Sequence, residues 1–270
     1  MTDHRIGFVG AGNMAAALIE GLLRTHTFSS NQVQLSDIDP AKAQACATRH
    51  GVGVASETRE LARWASVLIL AVKPQSMSAA LADCALGMSS ETLVISVAAG
   101  VRCATIAAAL PPGTRIVRAM PNTPALIGAG ATALSGGPTS TLADRELARQ
   151  LFDAVGRTVL VDEAQMDAVT GLSGSGPAYV MLVIEALADG GVRAGLSRET
   201  ASLLATQTVL GSAQLLLASG DHPAEWKDRV MSPGGTTSAG IEALEAGRLR
   251  HTLMRAVHEA TLRSRELGAR

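Results

Sequence analysis

Aromatic side chains are nearly absent from this 270-residue chain: two Trp, one Tyr and three Phe make up 2% of it, although 47% of its residues are hydrophobic. The core must be filled by aliphatic side chains, and there are too few rings to stack single-stranded bases. Charge is scarce as well. Only 17% of residues are charged and the formal net charge is −1, which leaves no basic field to attract a phosphate backbone. Together these shortages exclude general nucleic-acid binding. Cysteine is limited to Cys46, Cys84 and Cys103, an odd number with no CxxC spacing, so they read as reduced, buried small residues. Long hydrophobic runs are missing too. The first ends at Gly10, too short for a signal-peptide core, and the stretch 178–188 is cut by Glu185, short of the ~20 residues a bilayer requires. A soluble cytoplasmic protein with no membrane partner is expected. The histidines are scattered, and no H-E-x-x-H, G-x-S-x-G or Walker loop occurs, so no metal is expected and zinc-peptidase, serine-hydrolase and P-loop chemistry lack support. Lysine is confined to Lys42, Lys73 and Lys227.

What is present divides the chain in two. Residues 6–9, 33–36, 67–72, 93–97, 116–119 and 158–161 are short β-rich runs, and helical spacing fills 14–23, 41–50, 75–86, 103–110 and 142–155 between them. Runs such as 67–72 are apolar on both faces, as a parallel sheet covered by helices on both sides requires. The fold class expected is α/β, an N-terminal Rossmann-type doubly wound sheet over 1–161, followed by an all-α domain over 162–270. Helices are predicted at 165–172, 177–195, 199–219, 223–230, 236–246 and 250–267, with Pro177 at a first helical position and Ser197 as an N-cap. The helices from 177 to 219 are apolar around much of their circumference, which points to burial against a second copy in a homodimer or larger homo-oligomer.

Gly10-Ala-Gly12-Asn13-Met14-Ala15 follows the first strand directly and opens a helix. In such a turn the first Gly permits the bend, the second lets a pyrophosphate approach the backbone, and the helix start faces the phosphates. The second strand ends at Ser36-Asp37, where the adenosine ribose is read. Asp37 suits a ribose diol, and it is equally placed to cap the helix after Pro40. Ala71-Val72-Lys73-Pro74, the run 96–100 containing Ala98, and Met120-Pro-Asn122-Thr-Pro124 end three further strands, at the carboxyl edge where Rossmann ligands bind. Lys73 suits the nicotinamide half, a substrate acid or plain solvent. Two Gly-rich segments in the helical half, Leu172-Ser-Gly-Ser175-Gly176-Pro177 and Met231-Ser232-Pro-Gly234-Gly235-Thr236-Thr237, each read as a loop with free N–H groups at a helix start, suited to a carboxylate.

With these motifs assembled, the chain resembles the pyrroline-5-carboxylate reductases over nearly its whole length, through Val9–Ala15, Leu70–Gln75, Ser96–Gly100, Arg118–Pro124, Gly171–Tyr179 and Ser232–Thr237. Two positions depart from that pattern: Met231, where the family usually has a small residue, and Asp37-Ile38, where many members offer Asn-Arg or serines. The resemblance implies hydride transfer from NADPH or NADH to the cyclic imine 1-pyrroline-5-carboxylate, giving proline. It implies that the substrate carboxylate rests on the N–H groups of Gly235, Thr236 and Thr237, with Ser232, Gly234, Ser175 and Gly176 close by. It makes Thr237 the catalytic hydroxyl, hydrogen-bonded to the ring nitrogen. Gly10, Gly12, Asn13, Met14, Ser36, Asp37, Ala71–Pro74, Ala98 and Asn122 are the expected cofactor residues. Two other readings compete: a β-hydroxyacid dehydrogenase-like oxidoreductase, disfavoured because no Lys lies between Lys73 and Lys227, and a non-catalytic dinucleotide-binding regulator.

Overall fold

The computed structural model of the chain describes residues 4–268. Its first part alternates strands and helices: β1 (Ile6–Val9), α1 (Asn13–Arg24), β2 (Val33–Ser36), α2 (Pro40–His50), β3 (Gly53–Val54), α3 (Thr58–Trp64), β4 (Val67–Leu70), α4 (Met77–Ala85), β5 (Leu93–Ser96), α5 (Cys103–Ala109), β6 (Arg115–Met120), β7 (Gly130–Gly136), α6 (Leu142–Asp153) and β8 (Gly156–Leu160). Among the described residues these strands form one sheet in the order β3-β2-β1-β4-β5-β6-β7-β8. It is parallel from β3 to β6, but β7 runs antiparallel to β6 and carries β8 with it. The chain leaves β1 towards β2 on one side and returns to β4 on the other. That reversal opens a crevice at the carboxyl ends of β1 and β4.

Strand alternation explains the double winding. On β4 and β5, Val67, Ile69, Leu93 and Ile95 join one buried cluster, with Leu18, Leu22, Ala47 and Phe152 from α1, α2 and α6. Leu68, Leu70 and Val94 point the other way, against Leu61, Leu81, Cys84 and Ile106 from α3, α4 and α5. Each such aliphatic side chain, fully removed from water, contributes about 1.5–3 kcal/mol.

Charge is drawn into this core at Arg118. Arg118 on β6 is buried and donates to Glu163 Oε1 at 3.0 Å, and the same oxygen accepts the Cys103 N–H at 2.7 Å, so Glu163 caps α5 from sixty residues away. Burial pushes the Glu163 carboxyl up, but the Cys103 N–H and the Arg118 guanidinium outweigh it and hold the group below the usual Glu range. Burial and the adjacent Glu163 push the Cys103 thiol up to about 12, which leaves it protonated and inert. A carboxylate with a depressed folded pKa stabilises the fold above its unfolded pKa, about 4.3, and that contribution is lost as pH falls through the folded value. Wild type is therefore expected to show a higher urea midpoint than Glu163→Gln from neutral pH down to about 5. The two should converge below about 4; a gap independent of pH would rule this reading out.

The chain divides into two compact units. One combines the segment through Ser175 with the segment from Glu259 onward; the other is Gly176–His258. The first therefore extends past the boundary expected at 161, because Met166 on the short helix α7 (Met166–Val169) is buried and Ser264 donates to Asp167 at 2.6 Å. The second contains α8 (Gly176–Arg193), α9 (Arg198–Ser219), α10 (Pro223–Val230), α11 (Thr236–Ala246) and the first half of α12 (Leu249–Gly268). Ser197 caps α9 by accepting the Thr200 N–H. α8 and α9 pack on each other through Ala188, Ala201 and Ala205, supported by Ile184 and Val192. By contrast Met181, Leu182, Leu203 and Leu217 are 60–68% exposed. Three buried alanines are a small core for so much apolar surface. The helical runs 163–193 and 198–219 are also long and apolar enough, by length and composition alone, to cross a membrane.

Candidate active site

The turn after β1 is built by backbone constraints. Gly10 has φ +100°, its N–H donates to Ser36 O at 2.7 Å, and a Cβ there would lie 2.7 Å from Ala71 O, so only glycine fits. Gly12 is different: it is the N-cap of α1 with extended backbone, and a Cβ on it would meet nothing within 4 Å. No side chain caps α1, which leaves the first-turn N–H groups of Asn13 and Met14 at its positive end. Open space above Gly12 and uncapped N–H groups are what a dinucleotide pyrophosphate needs.

A cleft of about 340 Å³ begins at this turn. It is lined by Gly10, Gly12, Asp37, Ala71, Val72 and Lys73, as the sequence suggested, and also by Ile38, Lys42, Thr58 and Asp83. Asp37 is held in place rather than free. Its Oδ2 accepts the Ala11 N–H at 2.7 Å and lies 3.8 Å from Lys42 Nζ, while Oδ1 accepts the Asp39 N–H at 3.0 Å. The cap of α2 falls instead to Asp39, which accepts from Ala41 and Lys42. Ser36 is buried, with its hydroxyl 3.2 Å from Thr58 Oγ1, so it supports the cleft from behind. Lys73 and Pro74 start a short 3₁₀ turn at the cleft edge, and Ala98 is buried just after β5.

Two expectations change. Residues 172–176 were expected to form a loop before a helix, yet 163–193 is one helical run with a wide π-helical turn at Thr170–Gly174. The Ser175 N–H donates to Thr170 O at 2.8 Å and is not a free anion donor. Pro177 has no N–H to offer the carbonyl four residues before it. Asn122 supplies the missing donor: its Nδ2 donates to Ser173 O at 3.1 Å, and its Oδ1 accepts the Ala131 N–H at 2.8 Å. The Asn122 carboxamide is thus engaged at both ends, with one amide hydrogen left for a ligand. Ser175 lines a smaller cleft of about 170 Å³ with Gly100, Thr170 and Arg263.

In the second unit the other Gly-rich segment forms the expected loop and helix start, but the Gly235 N–H is spent within the turn and is not a free anion donor. Gly234 takes φ +65°, the Gly235 N–H donates to Ser232 O at 2.9 Å, and Gly235 is the N-cap of α11 with no capping side chain. The N–H groups of Thr236 and Thr237 occupy the first turn, and Thr237 is half-buried. Tyr179 donates its hydroxyl to Ala256 O at 3.4 Å, a packing role within the same unit. Lys42, Thr58 and Asp83 were missed because no local motif marks a helical residue that tertiary folding brings to a crevice. Among the described residues no cluster of His, Cys, Asp and Glu suits a metal ion.

Comparison with known proteins adds independent information. The family described as pyrroline-5-carboxylate reductase dimerisation matches residues 163–267, and that described as NADP oxidoreductase coenzyme F420-dependent matches residues 5–100. The pyrroline-5-carboxylate reductase of Methanosarcina acetivorans is 44% identical, covering 99% of both chains. That of Synechocystis is 45% identical over 98% of both. Among solved structures, a pyrroline-5-carboxylate reductase from Coxiella burnetii superposes with a TM-score of 0.92 at 37% identity, covering 98% of this chain and 99% of that one. A Plasmodium falciparum pyrroline carboxylate reductase with NADP bound gives 0.88 at 32% identity, covering 99% of both.

Proposed function

Because this chain belongs to the pyrroline-5-carboxylate reductase family, we propose that it reduces the C=N bond of 1-pyrroline-5-carboxylate to give proline, the closing step of proline biosynthesis, using NADPH or NADH. The observation that carries this reading is the pairing, in one chain, of a cleft opening on the glycine turn after β1 with an uncapped, glycine-opened helix start at Ser232–Thr237. When bound, the nicotinamide supplies the hydride that adds to the imine carbon. Gly10 and Gly12 admit the pyrophosphate, and the N–H groups of Asn13 and Met14 hold it. Asp37, Ala71, Val72, Lys73 and Pro74 hold the nucleoside parts, backed by Ser36, with Ala98 and Asn122 shaping the nicotinamide end. Thr236 and Thr237 offer N–H groups to the substrate carboxylate, and Ser232, Gly234 and Gly235 form the turn that presents them. The Thr237 hydroxyl holds the ring nitrogen while a proton from solvent reaches it. Orientation of this kind supplies about 7–11 kcal/mol of a barrier, so a strong protein acid is not required. Loss of reduced-nicotinamide absorbance that depends on added pyrroline-5-carboxylate is the expected result. Cofactor binding without imine-dependent oxidation would favour the non-catalytic reading instead.

The exposed faces of α8 and α9 are best accounted for by a second copy of the chain, in a homodimer or larger homo-oligomer. The match of residues 163–267 to a dimerisation family supports this, and such an interface accounts for the apolar helices without a bilayer. Leu203→Glu, on an exposed apolar site of α9, is expected to shift the protein from at least twice the chain mass towards monomer in sedimentation analysis. It should also make thermal stability fall on dilution. An unchanged mass would remove α9 from the interface. Three free, buried cysteines support a reducing compartment, the cytoplasm.

A further inference from the structure

In a Rossmann-type sheet the adenosine ribose is read at the end of β2, and there this chain has Asp37-Ile38. The difference between the two cofactors is a 2′-phosphate on the adenosine ribose, so the relevant quantity is the charge and hydrogen-bonding capacity of that corner of the cleft. The Asp37 side chain is only 10% exposed and lines the cleft. Because Oδ2 is fixed by the Ala11 N–H inside the phosphate-binding turn and Oδ1 by the Asp39 N–H, the carboxylate is not free to swing aside for a second anion. Each oxygen still keeps a lone pair, which suits a ribose hydroxyl.

Nothing nearby reverses that sign. Among the described residues no arginine lines the cleft, and its charged lining residues are Asp37 and Asp83 against Lys42 and Lys73, two of each sign. The ammonium of Lys42 already lies 3.8 Å from Asp37. Ile38, next in sequence, is fully exposed and its side chain carries no donor. The hydroxyls of Ser36 and Thr58 lie within hydrogen-bond distance of each other.

Resting on the reading of this cleft as the dinucleotide site, we propose that Asp37 makes the chain selective for NADH over NADPH, by accepting from the ribose 2′-hydroxyl and repelling a 2′-phosphate. The discriminating measurement is equilibrium binding of NADH and NADPH to the full-length protein by calorimetry, with no substrate present. Wild type is expected to bind NADH at least about tenfold more tightly than NADPH, with NADPH affinity that does not improve at low salt. Asp37→Asn keeps an acceptor for the Ala11 N–H but removes the charge; it should raise NADPH affinity about tenfold, with a small drop in melting temperature from the Asp39 N–H that loses its acceptor. Ile38→Arg, at an exposed position that does not disturb the turn, should raise NADPH affinity with Asp37 intact. Equal or tighter binding of NADPH by wild type, or an equal change for both nucleotides in Asp37→Asn, would overturn the proposal while leaving the site standing. Failure of either nucleotide to bind would overturn the site itself.

Discussion

Thr237→Ala is expected to lower kcat by about 100-fold or more while the dissociation constant for the reduced dinucleotide changes by less than twofold. Removing one donor that acts on a developing charge or a reacting atom typically has an effect of this size. The geometry explains why the loss should be confined to turnover. Thr237 is the second residue of α11, after a turn closed by the Gly235 N–H on Ser232 O and opened by Gly234 in the left-handed region. Alanine keeps that turn and its N–H groups, so the carboxylate site survives and only the hydroxyl is lost. Thr237→Ser should recover most of the activity, since it restores the hydroxyl. Single-turnover rates and nucleotide titrations on the same preparations decide the matter. Equal losses in both, or no loss at all, would mean that Thr237 does not act on the ring nitrogen.

The two glycines of the β1 turn should separate binding from folding. Gly12→Val is expected to abolish measurable dinucleotide binding, a loss of at least about 100-fold, with the melting temperature within a degree or two of wild type. Its Cβ meets no protein atom within 4 Å, and the side chain would stand in the space a pyrophosphate would use. Gly10→Ala should do the opposite first: at φ +100°, with Ala71 O 2.7 Å from the new Cβ, it costs stability directly. A cost of about 2–3 kcal/mol would lower the melting temperature by roughly 4–12 °C in a chain of this size. Gly12→Val with intact binding would show that the pyrophosphate does not lie over that residue.

Local pattern made much of this molecule legible. On β4 and on the first three residues of β5, neighbouring residues serve opposite buried faces, and the sequence shows that directly as unbroken apolar stretches. β7, by contrast, reads Gly-Ala-Thr-Ala-Leu-Ser-Gly, with one β-branched residue, and its antiparallel place beside β6 is decided by pairing rather than propensity. α3 was missed because it is seven residues long and half charged or polar, buried only at Leu61 and Ala62. The site divides in the same way. Gly10, Gly12 and the Ser232–Thr237 turn are contiguous motifs whose spacing carries their chemistry. Asn122 and Ser36 are not legible so simply, because their partners Ser173 and Thr58 lie 51 and 22 residues away. A side chain whose hydrogen bonds are committed elsewhere looks, in sequence, the same as one free to meet a ligand.

The return of α12 to the first unit has a consequence for how the protein is made. Ser264 holds Asp167, and Gly268 lies against the Gly100 backbone, so the sheet-containing unit draws on residues at both ends of its sequence. During synthesis every residue of the helical unit must leave the ribosome before that last packing surface exists. Until then the turn at Gly100, at the carboxyl edge of the sheet, stays uncovered. The nascent chain therefore completes its nucleotide-binding half last, at the moment when its apolar helices are also free to meet a second copy.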